Sequence, residues 1–185
     1  MSDTITPALI ALDAPLGADK AAVIRALARL VVAEGRATDA EALFADAWER
    51  EEKDETGLPG GIAIPHAKSP AVTVPSLAFA RLSPGVDFGA PDGPADLVFL
   101  IAAPADAAEA HLAVLSKLAR SLMQEDFTAG LRAARTPEEV VHIVRVAIGE
   151  EVGAAAPAPT AAAPTSGRAA TDGRPIRIVA VTSCA

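Results

Sequence analysis

The 185-residue chain contains one cysteine, one tryptophan, no tyrosine and three histidines. With Cys184 alone, no intramolecular disulfide can form, which fits a reducing compartment. Five phenylalanines are the only other aromatics, so a core has to be assembled from Ala, Val, Leu and Ile. Basic charge is also short. There are 16 Lys and Arg against 24 Asp and Glu, a net charge of −8, which argues against nucleic acid and anionic membrane surfaces as partners. No apolar run approaches the roughly 20 residues of a membrane span. The opening "MSDTITPALIALDAP" has no basic n-region and does not read as a signal peptide, so a cytoplasmic location is expected. His66, His111 and His142 are 45 and 31 residues apart, with no H-x-x-x-H pair; this spacing gives no zinc site. There is no G-x-S-x-G elbow and no P-loop.

What is present is a hydrophobic fraction of 51%, arranged with clear periodicity. Val23, Leu27, Leu30 and Val31 form one stripe, which predicts a helix from Asp19 to Glu34 with Gly35 just past its end. "TDAE" predicts a second helix, with Thr38 as N-cap, Glu41 reaching back, and Leu43, Phe44, Ala47 and Trp48 as the apolar face. It ends in "EREEKDETG", where Glu51 and Glu52 are expected to solvate the helix end. "GIAI" and "TVPSLAFARLS" read as strands, the second with an edge or bulge at Pro75. "DLVFLIAAP" reads as a buried central strand. Asp106 and Glu109 predict a helix start, with Leu112, Leu115, Leu118 and Leu122 as its buried stripe. "DFTAGLRAA" predicts a short helix. "TPEEVVHIVRVAIG" predicts another, with Thr136 as N-cap, Pro137 at N1, Glu139 closing the box and Gly149 at the end. His142 falls off the Val140–Val144–Ile148 stripe and is expected at the surface. This order predicts an α/β fold, a mixed central β-sheet flanked by helices. From residue 152 the composition turns to Ala, Pro and Thr with nothing to bury, and residues 152–173 read as a linker. Residues 174–185, "RPIRIVAVTSCA", read as the opening strand of a second domain.

"GIAIPHAKS" raises the functional question. On residue types alone, His66 is either a solvated turn histidine or a reactive group displayed at the end of a strand, and both remain open. The glycines permit close backbone approach, which suits an incoming phosphate, and Pro65 limits the directions in which His66 can point. His111 lies near a predicted helix N-terminus, a favourable place for an anion.

Four stretches taken together resemble a known family: "WEREEKDETGLPGGIAIPHAKSPAV", "LAFARLSPGVDFGAPDG", "LVFLIAAPADAAEAHLAVLSKLARSLM" and "TPEEVVHIV". They are similar to the EIIA domain of the bacterial phosphoenolpyruvate-dependent sugar phosphotransferase system, fructose/mannitol family, and closest to its fructose subtype. The resemblance implies an EIIA phosphocarrier domain over residues 1–151. It implies that His66 accepts a phosphoryl group from phospho-HPr and passes it to a cysteine of EIIB, with a membrane EIIC involved indirectly. It assigns supporting roles to His111 and Arg50, and it makes Lys68 and Ser69 candidates for phosphate contact. It implies no metal and no cofactor, since the donor is itself a phosphohistidine. It also makes residues 174–185 the start of an EIIB domain, with Cys184 as the acceptor in a complete protein. The alternative is a regulatory, nitrogen-type EIIA whose phosphorylation state controls partner proteins.

Overall fold

A computed structural model describes residues 3–107 and 110–150, with the side chains of 110–112, 114 and 115 outside that description. The chain enters through a 3-10 turn, Pro7–Leu9, and strand β1, Ile10–Leu12. Helices α1 (Lys20–Ala33) and α2 (Ala40–Lys53) follow. Five strands come next: β2 (Gly57–Leu58), β3 (Ile62–Ala63), β4 (His66–Ser69), β5 (Ser76–Val86) and β6 (Ala95–Pro104). Helices α3 (Ala110–Leu122), α4 (Glu125–Ala133) and α5 (Pro137–Ile148) complete the described order.

The described strands form one sheet in the order β1-β5-β6-β3-β2, and β4 pairs with β6 beyond the end of β3. β5 and β6 are antiparallel, while β1 joins β5, and β3 and β4 join β6, in parallel. The sheet is mixed, as expected. Its faces explain the unbroken apolar run of β6. Val98, Leu100 and Ala102 pack with Val23, Leu27 and Leu43 of α1 and α2. Leu97, Phe99 and Ile101 face the other way, onto Leu118, Leu131 and Val140 of α3, α4 and α5. A strand covered on both faces has no polar side to show. At the centre of the second face, Phe79 and Phe99 sit opposite each other across β5 and β6, ring centroids 4.7 Å apart.

Side chains cap the starts of α1, α2 and α5. Asp19 caps α1 by accepting from the Ala22 N–H at 2.8 Å, and Thr136 caps α5 by accepting from the Glu139 N–H at 3.3 Å. Glu139 itself accepts from Arg135 N–H at 2.6 Å, one residue before the cap. At α2 the expectation fails by one residue. The cap is Asp39, whose carboxylate accepts from Glu41 N–H at 2.9 Å and Ala42 N–H at 3.1 Å. A charged acceptor outcompetes a hydroxyl for those N–H groups, and the Thr38 hydroxyl donates to Ala71 O at 3.3 Å instead. Of the α3 start expected at Asp106 and Glu109, Asp106 lies in a turn, while Glu109 and the packing of Leu112 and Leu115 lie outside the described residues. Pro75 precedes β5; the irregularity in its pairing falls between Arg81 and Val86. β5 is not an edge, since β1 covers it.

Arg81 joins the sheet both to the loop after β1 and to the C-terminal end of α4. Arg81 of β5 donates from Nε to Asp13 Oδ1 at 2.9 Å and from Nη2 to Asp13 Oδ2 at 2.6 Å. Its Nη1 donates to the carbonyls of Leu131, Arg132 and Ala134 at the C-terminal end of α4. The hydrogen bonds from Arg81 hold the Asp13 carboxyl below the ordinary carboxylate range. A depressed acid contributes its stability above the unfolded pKa and loses it as pH falls through the folded one. Asp13→Asn, which tolerates the positive φ of 51° at that position, is therefore expected to melt below the wild type at neutral pH. The gap should close on acidification below about pH 4, as thermal melts across that range would show. A gap that persists at lower pH would mean that the charge pair is not its source.

Candidate active site

β2 and β3 form a hairpin around Pro59, Gly60 and Gly61. Gly60 and Gly61 have φ of +91° and +73°, where side chains are strained. The turn is clamped. Arg132 donates from Nε and Nη2 to the two oxygens of Asp96, each at 2.7 Å, and from Nη2 to Gly60 O at 2.5 Å. A Cβ on Gly61 would lie 2.6 Å from Asp96 Oδ1. The glycines thus supply the positive φ that this turn requires. Gly61→Ala should lose about 1–3 kcal/mol of stability, measured by denaturant unfolding, because its Cβ displaces an oxygen already held by Arg132. An unchanged unfolding midpoint would show that the turn relaxes freely.

β3 stops at Ala63, and Pro65 cannot donate to a ladder. Its carbonyl still accepts from Ile101 N–H at 3.0 Å. Pairing with β6 resumes at His66, opposite Ile101. His66 is therefore the first residue of β4. Alternation along β4 sorts its side chains. Ala67 and Ser69 are buried, and Ala67 packs with α1 and α2. His66 and Lys68 face the α3 side. His66 lines a cavity of about 240 Å³ with Ile64, Ile101, Ser116, Leu118 and Ala119.

Nδ1 of His66 lies 3.2 Å from the carbonyl oxygen of Ile64. A carbonyl can only accept, so Nδ1 carries the proton in that contact and the neutral ring keeps its free lone pair on Nε2. Among the described residues Nε2 has no hydrogen-bond partner. In that tautomer the half-buried imidazole has its proton engaged with Ile64 O and its Nε2 lone pair unengaged among the described residues.

Arg50 lies half-buried in the last turn of α2, the helix that packs against β4. In this state it pairs with Asp54 at 3.3 Å, in a contact whose side chains are 41% and 75% exposed. Such exposed pairs are weak. Lys68 is exposed on the face of His66, with no ion-pair partner among the described residues. Ser69 is fully buried on the opposite face, and its hydroxyl accepts from Ala71 N–H at 3.2 Å. That placement gives it a turn to hold and sets it away from the His66 face. His111 is the second residue of α3, the helix that walls the cavity, and its side chain lies outside the description. Cys184 also lies outside the described residues. His142 is exposed, as expected, and so is Glu52. Glu51 is not: it is fully buried, which corrects the expectation of a solvating carboxylate. It accepts from the Thr56 hydroxyl at 2.6 Å and from Thr56 N–H at 3.3 Å, and it faces Lys20 Nζ at 3.5 Å.

Residues 4–146 match the family described as "Phosphoenolpyruvate-dependent sugar phosphotransferase system, EIIA 2". The chain belongs to this EIIA family. The fructose-specific EIIA component of Haloferax volcanii is 45% identical over 143 residues, 76% of this chain and 92% of that protein. Among solved structures, the nitrogen regulatory protein IIA-Ntr from Neisseria meningitidis superposes with a TM-score of 0.70 at 32% identity. The match covers 76% of this EIIA chain and 96% of that one. Enzyme IIA mannitol of Escherichia coli, in its complex with phosphorylated enzyme IIB mannitol, gives a TM-score of 0.65 at 25% identity. There 77% of this chain and 97% of that one are covered. EIIA components are phosphotransfer proteins, so a phosphotransferase role follows from the family. No helix of the described residues is long and apolar enough to cross a membrane.

Proposed function

We propose that this EIIA carries phosphoryl groups on Nε2 of His66 within a fructose-type phosphotransferase system of the cytoplasm. The observation that carries this reading is the Nδ1 contact with Ile64 O, which leaves Nε2 as the nucleophile. In the first step the Nε2 lone pair attacks the phosphorus of phospho-HPr. A new N–P bond forms, the old one breaks, and the leaving imidazole of HPr takes back its electron pair. In the second step a cysteine thiolate of EIIB attacks that phosphorus, and His66 leaves as the neutral ring. The protein does no redox work and needs no metal for this exchange between nitrogen and sulfur. Its task is to position the phosphoryl group and neutralise its charge. Arg50 offers a planar fork of donors to phosphate oxygens. His111, at the first turn of α3, adds a donor beside a helix terminus that favours anions. Lys68 contributes positive charge on the His66 face. Residues 152–173 then serve as a linker to the start of an EIIB domain at 174, with Cys184 as the acceptor thiol in a complete protein.

A regulatory role of the nitrogen type is the second reading, favoured by the likeness to IIA-Ntr. The higher identity to a fructose-specific component favours the first. The experiment is transfer in a defined mixture of phosphoenolpyruvate, Enzyme I, HPr and this chain, followed by addition of a fructose-type EIIB. Loss of the phosphoryl group from EIIA with its appearance on EIIB supports the sugar route. A phosphorylated EIIA that EIIB cannot discharge supports the regulatory one.

A further inference from the structure

The hairpin that delivers His66 is missing one bond, and a buried carboxylate explains why. The register Gly57–Ala63 and Leu58–Ile62 extends by one step to Thr56 opposite Ile64. Residues so placed in an antiparallel pair exchange two N–H···O bonds. One is made, Ile64 N–H to Thr56 O at 3.1 Å. The reciprocal bond is not: Thr56 N–H donates to Glu51 Oε1 at 3.3 Å instead. The Ile64 carbonyl, deprived of its strand partner, accepts from His66 Nδ1 at 3.2 Å.

We infer that Glu51 is a positioning residue for His66. It draws the Thr56 N–H away from the hairpin and so reserves the Ile64 carbonyl for the imidazole. The carboxylate is held in place by the Thr56 hydroxyl at 2.6 Å and by Lys20 at 3.5 Å. A buried carboxylate needs such partners, since an unpaired one is strongly disfavoured. Glu51 never touches the phosphoryl group. It acts through two backbone amides, fixing which nitrogen of His66 carries the proton. This inference rests on His66 being the nucleophile, but the tautomer it predicts belongs to the free protein.

The test is nitrogen-15 NMR of the His66 ring in the free chain, at a pH where the imidazole is neutral. The wild type should show the Nδ1–H tautomer. In Glu51→Ala the Thr56 N–H is released to close the hairpin onto Ile64 O, and the Nε2–H tautomer should rise. Transfer from phospho-HPr should fall about fivefold, the scale of one lost hydrogen bond. Glu51→Gln keeps an acceptor for the Thr56 N–H and should restore the wild-type tautomer. Thr56→Val removes the hydroxyl that locks the carboxylate, and it should shift the tautomer in the same direction as Glu51→Ala. Thr56→Val alone decides the matter if Glu51→Ala does not fold. An unchanged Nδ1–H tautomer in the folded variants, even with a lowered melting temperature, makes Glu51 purely structural and overturns the inference. If the tautomer responds but phospho-HPr never labels His66, the positioning holds and the phosphocarrier reading fails.

Discussion

Replacement of His66 by alanine is expected to abolish phosphorylation by phospho-HPr and to leave the fold intact. The loss should be complete because no other described group replaces Nε2. His142 lies exposed on α5, and Ser69 is buried with its hydroxyl committed to Ala71 N–H. The fold should survive because His66 is only half-buried and its one hydrogen bond is local, to a carbonyl two residues away. The pairing of β4 with β6 runs through backbone groups that alanine retains. Intact-protein mass spectrometry reads the first expectation and circular dichroism the second. A phosphoryl mass that persists in His66→Ala would place the acceptor elsewhere.

Arg50→Ala and His111→Ala are expected to slow transfer on the order of 100-fold or more while leaving His66 able to be labelled. Removing one preorganised donor from a charge-stabilising site has effects of that size. For Arg50 the resting structure already bears on stability. Its partner Asp54 is an exposed i,i+4 carboxylate, so alanine there removes little folding energy. A rate loss without a stability loss is the signature expected of Arg50. Rapid-quench transfer from phospho-HPr and then to EIIB measures it. Wild-type rates in both variants would reduce the supporting cast to His66 and the groups that hold it.

Much of this architecture is legible in the sequence because it follows from periodicity. β6 is visible as a run with no polar residue, since both of its faces are covered. α1 and α5 are visible from their stripes and caps. β1, β2 and β4 are not, because each is between two and four residues long and their pairing with β5, β3 and β6 is a tertiary fact. His66 and Arg50 stand out through residue type and motif. The groups that orient His66 do not. The Ile64 carbonyl is a backbone atom without a sequence signature, and Glu51 sits in an acidic run that reads as solvated surface. Only the fold distinguishes Glu51, buried against Thr56, from Glu52, its exposed neighbour. The same holds for the glycines before His66. Their positive φ is a turn requirement, and Gly61 is further confined by the Asp96–Arg132 pair.

The central claim is that Nε2 of His66 receives the phosphoryl group while Nδ1 stays hydrogen-bonded to Ile64 O. Phosphorus–nitrogen coupling in the nitrogen-15-labelled chain, phosphorylated through Enzyme I and HPr, tests it directly. The account predicts a coupling at Nε2 of His66 with the proton retained on Nδ1. A coupling at Nδ1, or at any other residue, would contradict it.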